Sequence, residues 1–60
     1  MTQFILTIDC DNAAFDEDVK PEIARILRVA QKQIERGRDF NEPVPLHDSN
    51  GNRVGSYVLK

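Results

Sequence analysis

Residues 21–37, PEIARILRVAQKQIERG, decide the fold class because they carry the clearest periodicity in the chain. Their apolar side chains recur three or four positions apart, which places them on one face of a helix. The members of this face are Ile23, Leu27, Ala30 and Ile34, with Ile26 at its edge. Pro21 suits the first turn, where its missing N–H would have no partner, and Gly37 suits a left-handed cap at the end. Because the residue before a proline resists the helical conformation, Lys20 is predicted to lie at the boundary.

The segment before the helix begins as a strand. Residues 3–10, QFILTIDC, alternate with the period of two that is typical of a half-buried strand. Residues 11–18 follow no period and are interpreted as a loop between strand and helix. Within them, NAAF at residues 12–15 is interpreted as a buried corner, with Asn12 capping the turn through its side chain and Phe15 anchoring the loop. The alternative, a binding site, depends mainly on Asn12.

The segment after the helix is predicted to end in a hairpin. Residues 38–45 are polar and contain two prolines, which suits a connector whose last part runs along a sheet edge. Asn50 and Gly51, between two β-capable runs, are a strong hairpin signal. A two-residue loop would pair Asp48 with Arg53 and set His47 opposite Val54. A three-residue loop over 49–51, with Gly51 left-handed in a bulge, would place Leu46 opposite Val54, and this register is favoured because it aligns both with Val58 on one face.

The order β, α, β, β, with one apolar face on each element, predicts an α+β fold. We expect a three-stranded, mainly antiparallel sheet with the amphipathic helix packed on one face and the first strand beside the last. The 60 residues make a single domain, 1–60, near the lower size limit for a chain that folds alone, so there is little room for a buried catalytic pocket. The predicted core consists of Phe4, Leu6, Ile8, Phe15, Ile23, Leu27, Ala30, Ile34, Leu46, Val54 and Val58.

Composition excludes several classes of protein. The single cysteine rules out an internal disulfide framework, and the absence of a Cys/His pattern argues against structural zinc, which fits a reducing cytosol. The opening residues lack a basic leader and a membrane-spanning run, so we expect a soluble, cytoplasmic protein with no membrane partner. A formal charge of -2 is too weak to indicate binding to a bulk polyanion or mimicry of DNA by the whole molecule.

Catalytic and metal sites are not expected. A nucleophile at Cys10 with His47 as base and Asp48 as orienting group is disfavoured, because neighbouring acids would destabilise the thiolate. The segment DSNGN resembles a calcium loop, but Arg53 and Leu59 stand where such a loop needs a glycine and a bidentate acid. We therefore expect no enzyme activity, no metal and no cofactor.

Two charged surfaces are candidates for binding. The helix carries a basic row almost opposite its apolar face, spaced for contacts to phosphates; the row consists of Arg25, Arg28, Lys32 and Arg36. An acidic corner before the helix offers carboxylates to a basic protein surface, although acids there also stabilise the N-terminus of the helix by roughly 0.3 to 1 kcal/mol each. The predicted protein-binding residues at this corner are Asp11, Asn12, Asp16, Glu17 and Asp18, beside Asp9.

Three segments together carry a family resemblance: FILTIDCDNAAF at 4–15, PEIARILRVAQKQIERG at 21–37 and PLHDSNGNRVGSYVL at 45–59. The chain is similar to a group of short proteins of tailed phages and prophages that combine a D-N-A-A-F segment, an E-x-A-R-I-L helix and a D-x-N-G-N-x-V-G hairpin. The resemblance covers nearly the whole chain. It implies a phage or prophage origin and the cytoplasm of a bacterial host, but the functions in this group are mostly unassigned and no site residues carry over.

The function expected from these observations is a non-catalytic protein-binding module, a small accessory protein that acts on a host or phage protein. The alternative is a nucleic-acid-binding protein that uses the basic row of its helix. Weak homodimerisation is also expected, because Ile5, Tyr57 and Leu59 are predicted to form an apolar patch on the outer face of the sheet.

Overall fold

The computed structural model describes residues 2–60. The elements in chain order are strand β1 (Phe4–Ile8), a short 3-10 turn (Ala13–Phe15), helix α1 (Val19–Glu35), strand β2 (Val44–His47) and strand β3 (Arg53–Leu59). The strands form one antiparallel sheet in the order β1-β3-β2. The predicted α+β fold, with the first strand beside the last, is confirmed. Among residues 2–60, no helix has the length and apolar composition needed to cross a membrane.

Helix α1 begins and ends at capping groups that the sequence supplies. The Asp18 carboxylate accepts a hydrogen bond from the Lys20 N–H at 3.0 Å. The helix therefore begins at Val19, one residue before the predicted boundary, and Lys20 lies inside it. Pro21 lies in the first turn as predicted. At the other end the Gly37 N–H donates to Ile34 O, and the next N–H donates to the carbonyl of residue 33, both at 3.0 Å. This pair of bonds is the Schellman arrangement that ends a helix at glycine.

The buried face of α1 is rotated by one position from the predicted face. Ile26, predicted at the edge, is fully buried together with Ala30, whereas Leu27 is 45% exposed. The side chains of Ile23 and Ile34 are half-buried and pack against the core. The physical reason is that α1 packs against β2 and the 3-10 turn, which draws the helix away from β1 and turns Leu27 outward. Leu27 is therefore not a core residue, which corrects the prediction.

The hairpin between β2 and β3 contains the predicted loop and an additional irregularity. Gly51 has φ +85°, and Asp48 N–H donates to Asn52 O at 2.9 Å, as expected for the three-residue loop. His47 lies opposite Arg53, but Leu46 lies opposite Gly55, so the predicted Leu46 and Val54 pair is wrong. Val54 has no residue opposite it in β2, so β3 contains a β-bulge at this point.

The bulge reverses the alternation in the rest of β3. Tyr57 lies opposite Leu6 on one side and Val44 on the other, and it is 0% exposed in the core. Val58 is buried but lies opposite Ile5, on the face of the sheet away from the helix. The prediction that Tyr57 is exposed is wrong, and Val58 does not share a face with Leu46.

The core lies between α1 and the inner face of β2 and β3. It consists of Phe15, Ile26, Ala30, Val44, Leu46, Val54 and Tyr57. Predicted core residues of β1 are less buried: Leu6 and Ile8 pack only partly against it, and Phe4 is 47% exposed. Phe4 also forms an aromatic cluster with Phe40 and Tyr57, with ring centroids 5.7 to 6.1 Å apart. The side of the molecule that contains β1 is thus less completely covered than the side that contains β2.

Candidate binding surfaces

Asp48 is the centre of a buried polar network in the hairpin loop. The residue is 4% exposed, and its Oδ1 accepts the backbone N–H groups of Asn50 at 2.9 Å and Asn52 at 2.8 Å. Its Oδ2 accepts the side-chain amides of Asn12 at 3.1 Å and Asn52 at 3.3 Å. Asn12 therefore ties the corner after β1 to the hairpin. It does not cap its own turn, which corrects the predicted role, whereas Phe15 is buried as predicted.

A second carboxylate fastens the start of α1 to the same loop. Glu22 Oε2 accepts the Ser49 N–H at 2.7 Å, and the two carboxylate oxygens accept Arg25 Nε at 3.1 Å and Arg25 Nη2 at 3.0 Å. Arg25 Nη2 also donates to the backbone carbonyl of His47 at 3.0 Å. The corner, the helix and the hairpin, which carry the three motifs of the resemblance, thus meet in one network.

The hydrogen bonds in this network lower the pKa values of both acids. For Glu22 the hydrogen bonds from Arg25 are the largest effect, partial burial opposes them, and the Ser49 N–H adds to them, so the pKa lies below 4.5. For Asp48 burial is the largest single effect and raises the pKa. The donors from Asn52, Asn12 and Asn50 together outweigh it, so the pKa lies below 3.8.

The hydrogen-bonding groups of the network are paired with one another within the chain. Across residues 2–60, each buried side-chain nitrogen or oxygen has a hydrogen-bond partner, and three or more potential metal ligands do not gather anywhere. The hydrogen bonds of Asp48 go to asparagine groups and not to His47 or Cys10. The Cys10 thiol is half-buried and contacts the Ile8 carbonyl at 3.8 Å. No hydrogen bond within residues 2–60 therefore joins the side chains of Cys10, His47 and Asp48.

The predicted acidic corner divides into structural and exposed parts. Asn12 is bound to Asp48, and Asp18 caps α1. The side chains of Asp11, Asp16 and Glu17 are exposed. A shallow depression of about 420 Å³ lies here, lined by Ala13, Ala14, Asp16, Glu17, Asp18 and Pro21. The corner keeps its negative charge on the surface, but two of its five predicted binding residues also hold the fold together.

The predicted basic row is shortened by one member. Arg25 lies in the network with Glu22 and His47. Arg28 and Lys32 are exposed on α1, and Arg36 is exposed at its C-terminal cap. The three residues are spaced four positions apart, which gives a row about 12 Å long at the rise of a helix.

An apolar groove between β1 and α1 is the surface that the sequence interpretation missed. It has a volume of about 300 Å³ and is lined by Phe4, Leu6, Leu27, Ala30, Gln31, Ile34 and Glu35. The sequence predicts Phe4 and Leu27 in the core, because both fit an apolar period. The sequence of α1 carries one indication of this groove. Its apolar residues spread over an arc of the helix wider than one small sheet can cover; they are Ile23, Ile26, Leu27, Val29 and Ala30.

The floor of this groove is β1, whose outer edge has no partner strand among residues 2–60. Gln3 and Lys60 exchange backbone hydrogen bonds of 2.7 and 2.8 Å, and Asp9 N–H donates to Val54 O at 2.7 Å. Because bonding alternates along an antiparallel pair, the odd-numbered residues of β1 bond to β3. The N–H and C=O groups of Phe4, Leu6 and Ile8 therefore point away from β3 toward the outer edge of the sheet, where the Cys10 thiol lies 3.8 Å from the Ile8 carbonyl oxygen.

The opposite edge of the sheet is blocked. The even-numbered residues of β3 form the backbone hydrogen bonds to β1, so its odd-numbered residues face β2. Among them, Tyr57 bonds its partner Val44, and Gly55 bonds its partner Leu46. Residues 43 and 45 then point outward, and both are proline, which has no N–H to donate. Proline is one of the devices by which proteins prevent unwanted strand pairing. Strand β1 contains neither proline nor a charged residue.

Comparison of the chain with protein-family models, curated proteins and solved structures gives no match. The resemblance to small phage and prophage proteins therefore stays a prediction, and the function is inferred from the surfaces described above.

Proposed function

We propose that this protein is a non-catalytic protein-binding module that accepts an extended apolar segment of a partner along β1. The observation that carries the proposal is the coincidence of two features on the same residues. Phe4 and Leu6 line the apolar groove and also direct their backbone N–H and C=O groups to the free edge. An added strand would find hydrogen-bonding groups and a side-chain groove in one place.

The two features have separate roles in strand addition. Main-chain hydrogen bonds to an exposed edge supply affinity that depends little on sequence, and pockets for alternate side chains supply specificity. Here every second side chain of the added strand would point toward the groove, where Phe4 is 47% and Leu27 is 45% exposed. Covering such side chains removes apolar surface from water and favours binding.

Charge adds a preference at one end of the edge. Asp9 and Asp11 follow β1 directly, and Asp16 and Glu17 precede α1. A partner with basic residues next to its apolar segment would meet these carboxylates, which mainly raises the rate of association. The partner class implied by the resemblance is a host or phage protein.

A nuclear magnetic resonance titration tests the proposal. The probe is a synthetic peptide in which valine alternates with threonine, with lysine at both ends. We expect the largest amide shifts at Phe4, Leu6 and Ile8, and slower hydrogen exchange at these amides. An absence of shifts in β1 at about 1 mM peptide, a concentration that detects even millimolar affinity, would overturn the proposal.

Two helix variants provide a matched comparison. Leu27→Lys places a charge in the groove, whereas Val29→Lys changes a residue of similar exposure, 41%, outside the groove. We expect Leu27→Lys to weaken peptide binding at least tenfold and Val29→Lys to leave it unchanged. Equal effects of the two variants would contradict the assignment of the groove.

A further inference from the structure

We infer that the strand occupying the free edge of β1 is β1 of a second copy of this chain, paired antiparallel across a two-fold axis. This inference rests on the proposed function, because it names the occupant of the same groove and edge. The resulting dimer would have one continuous six-stranded sheet with both helices on the same face. It differs from the homodimer predicted from the sequence, which used the outer face of the sheet.

The edge is complementary to itself. In an antiparallel pair centred on Leu6, Phe4 of one copy lies opposite Ile8 of the other, and Leu6 lies opposite Leu6. These are the three residues whose N–H and C=O groups point outward, so the outward groups of both copies find partners in one register. Their side chains also share the helix-facing side of the sheet, so apolar side chains meet apolar side chains. A two-fold axis requires such self-complementarity.

The grooves are also brought together by this pairing. Each groove has β1 as its floor and α1 as its wall. Pairing of the two β1 strands would place the floors of the two grooves side by side, so that one apolar trough runs between the two helices. Phe4 and Leu27, which have the highest fractional exposure among the large apolar side chains of residues 2–60, both lie in this trough. One arrangement therefore explains the free edge and the two largest apolar exposures.

Charge placement favours the antiparallel direction. Asp9 and Asp11 lie at the end of β1, and the residues before it, Thr2 and Gln3, are neutral. Antiparallel pairing places the acidic end of each copy beside the other end of its partner, where Gln3 is bonded to the backbone of the basic residue Lys60. The two acidic ends are then separated by about the 17 Å length of a five-residue strand, beyond the screening distance of about 8 Å at physiological salt. Parallel pairing would bring four carboxylates together.

The interface is too small for a permanent dimer. A standard stable interface takes about 800 Å² from each partner, which is about a fifth of the 4446 Å² surface of this chain. The proposed contact is limited to one strand edge of about 17 Å and the groove beside it, so we expect it to bury less than that area. We therefore expect a transient dimer with a dissociation constant between about 1 µM and 1 mM.

Sedimentation velocity between about 10 µM and 1 mM protein tests the inference over this range of affinity. We expect the average mass to rise from 6.8 kDa toward twice that value in the wild type and in Val29→Lys. Leu27→Lys should stay monomeric with an unchanged circular dichroism spectrum. A wild type that is monomeric at the highest concentration, or equal dimerisation of the two variants, would overturn the inference.

Amide exchange and the peptide titration separate this inference from the proposed function. In the dimer, the Phe4, Leu6 and Ile8 amides should exchange more slowly as protein concentration rises, and mixed-label samples should show contacts between Phe4 and Ile8 of different copies. Dimerisation without these changes would overturn the inference. If the protein is monomeric but the valine and threonine peptide still binds β1, the inference fails and the proposed function stands. If neither association occurs, both fail.

Discussion

Asp48 is the residue on which the hairpin loop depends. Its carboxylate accepts four hydrogen bonds and donates none, so an ionised acid suits the position. The sequence motif containing Asp48 resembles a calcium loop, but its oxygen atoms bind asparagine donors within the chain. Three of these hydrogen bonds come from residues two or four positions away, but the fourth comes from Asn12, 36 positions away, and could not be predicted from the neighbours of Asp48. A long-range hydrogen bond leaves no periodic signal.

The stability of the protein is expected to fall in acid. The folded-state pKa values of Glu22 and Asp48 lie below 4.5 and 3.8, the ordinary values of these groups. The contribution of the two ionised carboxylates to the free energy of unfolding is therefore fully present above the ordinary values. It is lost as pH falls through the lower folded-state pKa values. Urea unfolding should show a constant midpoint from about pH 8 to pH 5 and a decreasing one below about pH 4.

Variants of two acids show whether Asp48 contributes to this pH dependence. Asp48→Asn should lower the midpoint at pH 7, because its amide would face other donors, and should flatten the decrease in acid. Asp11→Asn removes an exposed charge and serves as the control. A steep acid dependence retained in full by Asp48→Asn would show that other groups cause it.

Gly55 is required by a close approach between strands. It lies opposite both Ile8 and Leu46, and a Cβ atom at this position would overlap the backbone carbonyl of Thr7. Gly55→Ala should therefore destabilise the fold by about 1 to 3 kcal/mol or more. Gly51→Ala is the comparison, because Gly51 has positive φ but open space around it, and its expected loss is about 1 kcal/mol. Denaturant unfolding measures both, and a milder effect at Gly55 than at Gly51 would contradict the overlap.

At the scale of the element, the sequence predicts where helices and strands lie. It does not predict which of two neighbouring apolar residues is buried, because that depends on packing between elements. The limits of α1 follow from Asp18, Pro21 and Gly37, which act locally. The buried face of α1 does not follow from local residues, because Ile26 and Leu27 are both apolar. The position of the helix over β2 determines that Ile26 is the one buried. Strand β3 shows the same limit. One bulged residue moves Tyr57 into the core, where its hydroxyl donates to Gln33 at 2.6 Å.

The basic row on α1 has an expected outcome of its own. With Arg25 held by Glu22, three exposed cations of the row remain to contact the phosphates of duplex DNA. We expect no binding at 150 mM salt and, at 20 mM salt, at most weak binding that salt abolishes. A fluorescence anisotropy titration with Arg28→Glu and Lys32→Glu variants measures this. Binding that persists at 150 mM salt and is lost in the variants would favour the nucleic-acid alternative over the protein-binding module.

At the scale of the whole molecule, the structural network and the proposed binding surface lie on different sides of α1. The network of Glu22, Arg25 and Asp48 joins the helix to the hairpin beside β2. The groove lies on the β1 side, where Leu27 and Ile34 face Phe4 and Leu6. One side of the helix therefore holds the fold together, and the other is free to bind a strand. Changes in the groove should consequently affect association more than folding.

Dimerisation through β1 predicts that stability depends on protein concentration. A partner that binds only the folded state stabilises it in proportion to the logarithm of its concentration relative to the dissociation constant. With a constant near 0.1 mM, raising the protein from about 10 µM to 1 mM should add about 1 kcal/mol to the free energy of unfolding. Urea unfolding at the two concentrations measures the difference. Val29→Lys should keep the dependence and Leu27→Lys should remove it, because a lysine in the groove opposes pairing without touching the network. A midpoint independent of concentration in the wild type would show that the edge of β1 remains unpaired in solution.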